Sequence, residues 1–264
     1  MLLRFVARFF FSASVLFWST LACASSGGAK IVNYYELILA AFGVDEHLIH
    51  DWTAVLGGLL SLAIITVIGL AYRKSVESSL DSGPTGKADL SSVVETIIEF
   101  VTNLARDVIG SEHGARFFPL LCGLFVFILV SNLTGLVPGF PPATESLSTN
   151  LTMGLSVFVI YNWVGFKEHG SHYFKQFLGP VAFMMPIMLV IELVAHLARP
   201  VSLSLRLYGN IFGDHLVLSV FTGLTYLVLP AFLLFFGLLV ASLQSFVFTL
   251  LSSIYISMAL SHDH

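Results

Sequence analysis

The sequence predicts an all-α polytopic membrane protein with about five membrane-embedded helices, an amphipathic surface helix and a long helical hairpin at its C-terminal end. Apolar residues make up 56% of the chain and charged residues only 11%, whereas about 25% of a soluble domain is charged. The apolar residues form charge-free runs that are long enough to cross about 30 Å of hydrocarbon. Two cysteines, Cys23 and Cys122, are too few for a disulfide framework. We therefore predict a single membrane domain over residues 25–264, without redox chemistry.

Residues 1–24 have the three parts of a secretory signal peptide. Arg4 and Arg8 precede an apolar run, and Ala22-Cys23-Ala24 supplies the small residues of a cleavage site. We predict cleavage after Ala24, and an uncleaved first transmembrane helix is the alternative. A short interfacial helix is predicted next, over residues 34–42.

The first predicted span covers residues 52–72, a run of twenty-one residues without a charge. Arg73 follows this run at once, so the C-terminal end of the span should face the cytoplasm. Residues 91–109 then place apolar side chains at helical spacing on one side and polar side chains on the other. A capping box, Ser92-x-x-Glu95, opens this segment. The pattern predicts an amphipathic helix on the inner membrane surface.

Two further spans are predicted at residues 117–137 and 150–166. The inner segments 73–116 and 167–175 hold seven basic residues, and Lys30 is the one basic residue of the outer segments. By the positive-inside rule, this asymmetry predicts a mature N-terminus outside and a C-terminus in the cytoplasm.

The remainder of the chain predicts two long helices, at residues 176–224 and 228–260, joined by a short turn. From Leu216 to Leu260 there is neither a charged residue nor a histidine, which is typical of membrane-embedded helices. Gln244 lies in the second helix, where pairing of the hairpin would bring it near Arg206.

The functional candidate is the stretch from Met188 to Leu216, which holds ionisable residues in an otherwise lipid-like sequence. They are Glu192, His196, Arg199, Arg206, Asp214 and His215. An ionisable group within a span costs about 2.5–3.5 kcal/mol on insertion scales, so it usually faces a polar cavity, an ion path or a partner. Arg206 and Asn210 share one helical stripe. Arg206 either meets a carboxylate from a partner, or it is structural and pairs with Glu192 or Asp214.

Sequence motifs separate the candidate classes of function. The chain has no G-x-x-x-x-G-K-[ST] loop for a nucleotide. A secondary transporter would show inverted repeats, and an intramembrane hydrolase would show G-x-S-x-G or H-E-x-x-H, none of which we find. A pure assembly subunit would leave Arg206 without a purpose. The pairs His47/His50 and His169/His172 lack further ligands, so we predict solvated loops and no metal site.

Three stretches resemble subunit a of F-type ATP synthases. Glu192 and the run RPVSLSLRLYGN from Arg199 to Asn210 are similar to the family pattern KPVSLxLRLFGN. The other two are Phe118-Pro119 with SNLTGLVPGFPP at 131–142, and LQSFVF at 243–248 with Tyr255-Ile256-Ser257. The stretches occur in the family's order, and the resemblance extends over most of the chain.

The resemblance implies a proton-channel stator subunit, non-catalytic by itself, whose two half-channels couple proton flow to rotation of a c-subunit ring and to ATP synthesis. It implies that Arg206 attracts the deprotonated carboxylate of a passing c subunit and separates the half-channels. Asn210 and Gln244 match polar residues near that arginine, on the two helices of a strongly tilted hairpin. Glu192 matches an acid of one half-channel, and His215 stands where the family has a Glu or His in the outer one.

One position departs from the family pattern. Seven residues before Gln244, where the family often has an ionisable group, this chain has Gly237. Asp214, next to His215, is the sequence's candidate for the missing acid.

The resemblance also implies the surroundings of the chain. Its partners would be the c ring, the b subunits of the peripheral stalk, the remaining ATP synthase subunits and the lipid bilayer of a bacterial inner membrane. No cofactor, metal or nucleic acid is expected.

Overall fold

The computed structural model describes residues 33–41, 46–82, 90–137, 139–170, 185–224 and 228–260. Within these ranges the chain is entirely helical apart from its connections, which confirms the predicted fold class. The helices are α1 (Tyr34–Ala41), α2 (Glu46–Ser82), α3 (Leu90–Ile109), α4 (Ser111–Gly135), a 3-10 turn (Ala143–Glu145), α5 (Leu147–His169), α6 (Met185–Leu224) and α7 (Val228–Leu260). The predicted signal peptide, His172 and the predicted hairpin start at 176–184 lie outside the described residues.

Four of the described helices are long and apolar enough to cross a membrane. These stretches are Trp52–Glu77 in α2, Ser111–Gly135 in α4, Ile187–Leu218 in α6 and Phe232–Leu260 in α7. The chain is therefore a multi-pass membrane protein. Helix α5, which the sequence predicted as a further span, is not among these four. Its 23 residues have the length to cross, but its first turns carry Ser148, Thr149 and Asn150, which lower its hydropathy.

Helices α3 to α7 share one apolar core. Leu121 and Ile128 of α4, Tyr161 of α5, Leu207 of α6 and Phe248 of α7 are all fully buried in it. Helix α6 continues through Pro200 without a break. This packing holds α6 against α5 on one side and α7 on another, and it leaves a further face of α6 exposed.

The amphipathic pattern of α3 matches its packing. Val101 and Ala105 are buried against the core, whereas the predicted polar side chains Glu95, Glu99 and Arg106 are exposed. Much of the apolar face of α3 is thus covered by neighbouring helices, because α3 packs closely on α4 and α7.

A single residue, Gly110, connects α3 to α4. Its φ of 99° lies in the left-handed region, which favours glycine. The chain then folds back so tightly that a Cβ on Gly114 would lie 2.8 Å from the backbone oxygen of Ala105. Gly114 therefore sets the distance between the two helices.

Replacing Gly114 by alanine should destabilise the protein, because the added methyl group meets backbone that cannot rotate away. We expect a cost of about 1–3 kcal/mol, the usual range for overpacking. The thermal midpoint of the detergent-solubilised protein measures it. Gly123→Ala is the matched control on the same helix, since nothing lies within 4 Å of a Cβ there. Equal midpoints for the two variants would contradict this account of the α3–α4 contact.

Candidate functional site

Arg206 lies on the exposed face of α6. Exposed apolar residues of this helix near it include Leu205, Phe212 and Val217, and the polar residues one turn away, Ser202 and Asn210, are exposed as well. The ion pairs in the described part of the chain are Arg73–Glu77 and Glu145–His215, and neither includes Arg206. A purely structural role for Arg206 would require an ion pair with Glu192 or Asp214. No such pair forms in the described part of the chain.

Asn210 and Gln244 are brought together by the hairpin of α6 and α7. The Asn210 amide nitrogen donates to the Gln244 side-chain oxygen at 2.6 Å. Gln244 is 4% exposed, and its own amide nitrogen has no hydrogen-bond partner among the described residues. Asn210 lies one helical turn beyond Arg206, so this amide pair is at nearly the depth of the arginine.

A second polar group lies on α6 before Arg206, and it centres on His196. The Asn162 amide nitrogen donates to the Phe158 carbonyl oxygen at 2.7 Å, which turns the amide oxygen of Asn162 toward His196. The His196 Nε2 atom lies 2.8 Å from that oxygen, so Nε2 is the donor. The hydroxyl oxygen of Tyr161 lies 3.5 Å from the same nitrogen. The His196 ring thus points toward α5.

Glu192 lies one turn before His196 and is partly exposed. The guanidinium of Arg199 lies over the Tyr255 ring, 5.5 Å from its centre. Since neither residue takes part in an ion pair in the described ranges, the charge of Glu192 remains available to solvent or to a partner.

A third polar group lies beyond Arg206 and joins α6 to the loop between α4 and α5. The Nδ1 atom of His215 is 3.2 Å from a carboxylate oxygen of Glu145, and the two side chains are 29% and 34% exposed. Asp214 is adjacent and partly buried, and it makes no ion pair with the residues described. The sequence singled out His215 and Asp214 but missed Glu145. The only sequence signal for Glu145 is that it is an acid shortly after Pro141-Pro142. Such an acid by itself predicts a solvated loop.

Buried polar side chains connect this loop to the helices. The Thr144 hydroxyl donates to the Asn132 amide oxygen at 2.7 Å, and the Asn150 amide nitrogen donates to the Thr144 carbonyl oxygen at 2.7 Å. The Ser204 hydroxyl is 2.9 Å from the Asn150 carbonyl oxygen. Within the described ranges, Asn132 Nδ2, Asn150 Oδ1 and Ser131 Oγ have no hydrogen-bond partner. Buried polar atoms are usually hydrogen-bonded, so these are sites that ordered water would satisfy.

The polar groups lie on opposite sides of Arg206 along α6. Glu192 is fourteen residues before it and His215 nine residues after it, which correspond to about 21 Å and about 14 Å of helix. The fold and site thus define a class: an α-helical multi-pass membrane protein with an exposed arginine between two groups of titratable side chains.

Comparison with known proteins identifies the family within that class. The family model of the ATP synthase A chain matches residues 53–257. The ATP synthase subunit a 2 of Syntrophotalea carbinolica is 41% identical over 227 residues, which cover 86% of this chain and 91% of that protein. The ATP synthase subunit a of Bdellovibrio bacteriovorus is also 41% identical, over 81% of this chain and 99% of that protein. The chain therefore belongs to the ATP synthase A chain family.

Membership in this family confirms the resemblance found in the sequence. The chain is a non-catalytic membrane subunit of the Fo sector, and it belongs to a complex with other ATP synthase subunits.

Asn210→Leu should destabilise the hairpin more than Gln244→Leu. The first variant leaves the buried Gln244 amide without its partner, which costs about 1–3 kcal/mol, whereas the second leaves an exposed Asn210. The double variant should lose less than the sum of the two singles, because no polar group is then left unpaired. Thermal midpoints of the solubilised complex measure all three. If the decreases in thermal midpoint are additive, or if Gln244→Leu shows the larger decrease, the hydrogen bond does not stabilise the hairpin in the way described.

Proposed function

We propose that this chain is the proton-channel stator subunit of the ATP synthase, with two half-channels separated by Arg206. The observation that carries the proposal is the exposed position of Arg206 within an apolar membrane-spanning helix, without an ion pair to the described residues. A charge in hydrocarbon costs several kcal/mol unless a polar partner receives it. A carboxylate on a neighbouring subunit would supply that partner.

The partner proposed for this face is the ring of c subunits. The faces of α6 and α7 beside Arg206 expose large apolar side chains, among them Leu205, Phe212, Phe235 and Leu239. Such a surface suits apolar helices that slide past it, with a membrane carboxylate on each. Arginine stays charged even when partly desolvated, and its guanidinium fork matches a carboxylate. Arg206 would therefore hold each arriving carboxylate in its deprotonated form.

The two half-channels are proposed on either side of this arginine. Glu192 would belong to the inner one, while His215 and Asp214 would belong to the outer one. Asn210 and Gln244 would line the meeting point near the ring. Since Arg206 would block direct passage between them, a proton would have to travel on a c subunit around the ring.

Rotation in this scheme is driven by the membrane potential. Moving one charge through the potential is worth about 2.3 kcal/mol per 100 mV. The chain would direct that work into the ring, and the ring's rotation would drive ATP synthesis on other subunits.

The proposed orientation follows from the basic residues at the helix ends. With Arg73 at a cytoplasmic end of α2, the Glu145 loop would lie outside and the end of α7 in the cytoplasm. The membrane would be the bacterial inner membrane. The exposed apolar face of α2, which includes Leu59 and Val67, is available to lipid or to the b subunits of the peripheral stalk.

Arg206→Ala should abolish proton-driven ATP synthesis while the complex still assembles. We expect a loss of about 100-fold or more, as when a preorganised charge is removed from a reacting group. Arg206→Lys should fail as well, because lysine loses its proton more readily and lacks the fork. Synthesis in membrane vesicles under an imposed proton gradient measures the effect, and copurification of the subunits measures assembly.

Arg73→Ala is the matched control for that experiment. Its exposed pair with Glu77 contributes about 0–1 kcal/mol, so synthesis should remain near the wild-type rate. Full coupled synthesis in Arg206→Ala would refute the proposed function.

A cysteine at position 205 should form a disulfide with a cysteine placed beside the membrane carboxylate of a c subunit. Leu205 is exposed next to Arg206, whereas Leu207 is buried in the core, so Leu207→Cys is the control that should not react. Cys23 and Cys122 are replaced by serine in both variants. Disulfides require Cα atoms within about 7 Å, so oxidation followed by electrophoresis reports contact directly. Crosslinking from position 207 but not from 205 would contradict the proposed ring face.

A further inference from the structure

We propose that Glu145 is a proton-carrying residue of the outer half-channel and that it works as a pair with His215. The inference rests on the proposed function and adds to it a residue outside the family-like motifs. It is carried by the contact of the two side chains, by their shared partial exposure and by the packing that fixes the loop between α4 and α5.

The first observation is that position 237, where the family often has an ionisable residue, is occupied by glycine. Gly237 is buried where α7 approaches the end of α4. A Cβ there would lie 2.9 Å from a terminal methyl carbon of Leu136, so a longer side chain would have to displace that leucine. An acid of the outer half-channel would therefore come from another element.

Glu145 meets this need from the loop. Its carboxylate is 3.2 Å from the Nδ1 atom of His215, and roughly a third of each side chain remains open. The open part allows water to reach the pair, while the covered part holds the two groups in contact. Glu145 is thus placed both to receive a proton from outside and to transfer it to the imidazole.

The loop holds the backbone at Glu145 in this position through contacts of Thr144 and Pro142. Thr144 is fully buried and is fixed by its hydrogen bonds to Asn132 and Asn150. The Glu145 backbone N–H donates to the Pro142 carbonyl oxygen at 3.1 Å. The ring of Pro142 lies so close to Gly135 that a Cβ there would meet it at 2.7 Å. The carboxylate is therefore held by packed structure and does not depend on a free loop.

The charges around the pair are few. From α6, Asp214 is adjacent to His215. Within the described residues, the elements that pack on this loop otherwise present polar neutral groups, such as Asn132, Asn150 and Ser131. Beginning next to Glu145, hydrogen bonds link Thr144 to Asn132 and Asn150, and the Asn150 backbone to Ser204, two residues before Arg206 on α6. They provide polar contacts for a proton that moves inward from the pair.

The transfer conserves charge at each step. The Glu145 carboxylate takes a proton from outer water and becomes neutral. It then gives this proton to Nδ1 of neutral His215, which becomes an imidazolium. The imidazolium releases a proton toward the c ring, and the pair returns to its starting charge.

Glu145→Gln tests the role directly. Glutamine is similar in shape and can still hydrogen-bond to His215, but it cannot carry a proton. The intact complex is assembled in membranes, the catalytic sector is stripped off, and passive proton flux is normalised to the amount of assembled chain. We expect the flux to fall by about 100-fold or more, the lower end of what a positioned proton-transfer group contributes. Glu145→Asp should retain most of the flux, because it keeps a carboxylate.

Glu36→Gln is the matched control, since Glu36 is an exposed acid on α1 on the same proposed side of the membrane. Wild-type flux in Glu145→Gln would overturn the proposal, and so would an equal loss in Glu145→Gln and Glu145→Asp. The double variant Glu145→Gln with His215→Asn separates a pair from independent residues. If the double variant loses no more flux than the more affected single variant, the two residues act as a pair. If the fold-losses of the single variants multiply in the double variant, the residues act independently and the pair is contradicted.

Arg206→Ala, measured for coupled ATP synthesis in membranes that keep the catalytic sector, keeps the two hypotheses apart. If Arg206→Ala loses coupled synthesis while Glu145→Gln conducts normally, the inference fails and the proposed function stands. If Arg206→Ala retains coupled synthesis, the proposed function fails whatever Glu145 does.

Discussion

The structure depends on a positive charge that its own chain leaves exposed on an apolar, membrane-spanning helix. Exposed apolar residues such as Leu205 and Phe212 lie near Arg206 on α6, and the exposed amide of Asn210 lies one turn beyond it. No ion pair to the described residues offsets the cost of desolvating its guanidinium. In the proposed function, a carboxylate of a neighbouring subunit would offset that cost. The surrounding helices are arranged so that this contact remains open.

The packing of α6 serves that arrangement. Its buried side meets α5 and α7 through Leu207 and through the hydrogen bonds of Ser204 and His196. Because these contacts fix the rotation of the helix about its axis, the opposite face must point outward. The amide pair of Asn210 and Gln244 then ties α7 to the edge of the exposed face. The titratable residues that could exchange protons lie before and after this region, separated by helix length.

Much of this fold could be predicted from composition and periodicity. Charge-free runs marked the long helices, and the alternation of polar and apolar residues marked α3. The extent of helix α2 was underestimated, because Glu46–Ser82 continues past the apolar run at both ends into charged segments. The end of an apolar run does not mark the end of a helix, because helical backbone hydrogen bonds continue into polar residues at the membrane surface.

The site was predicted less completely, and the reason is geometric. Asn210 and Gln244 could be paired because a hairpin brings its helices together. The partner of His215 could not, because Glu145 is seventy positions away and depends on how a short 3-10 turn packs beneath α2 and α4. A family pattern drew attention to Gly237 and Asp214, whereas three-dimensional packing brings Glu145 of the loop to His215.

A structure of the intact complex in lipid tests the central claim most directly. The account predicts that the Arg206 guanidinium lies at the contact with the c ring, within about 4 Å of a c-subunit carboxylate when one is opposite it. It would be contradicted if the guanidinium were paired with a carboxylate of its own chain and turned away from the ring.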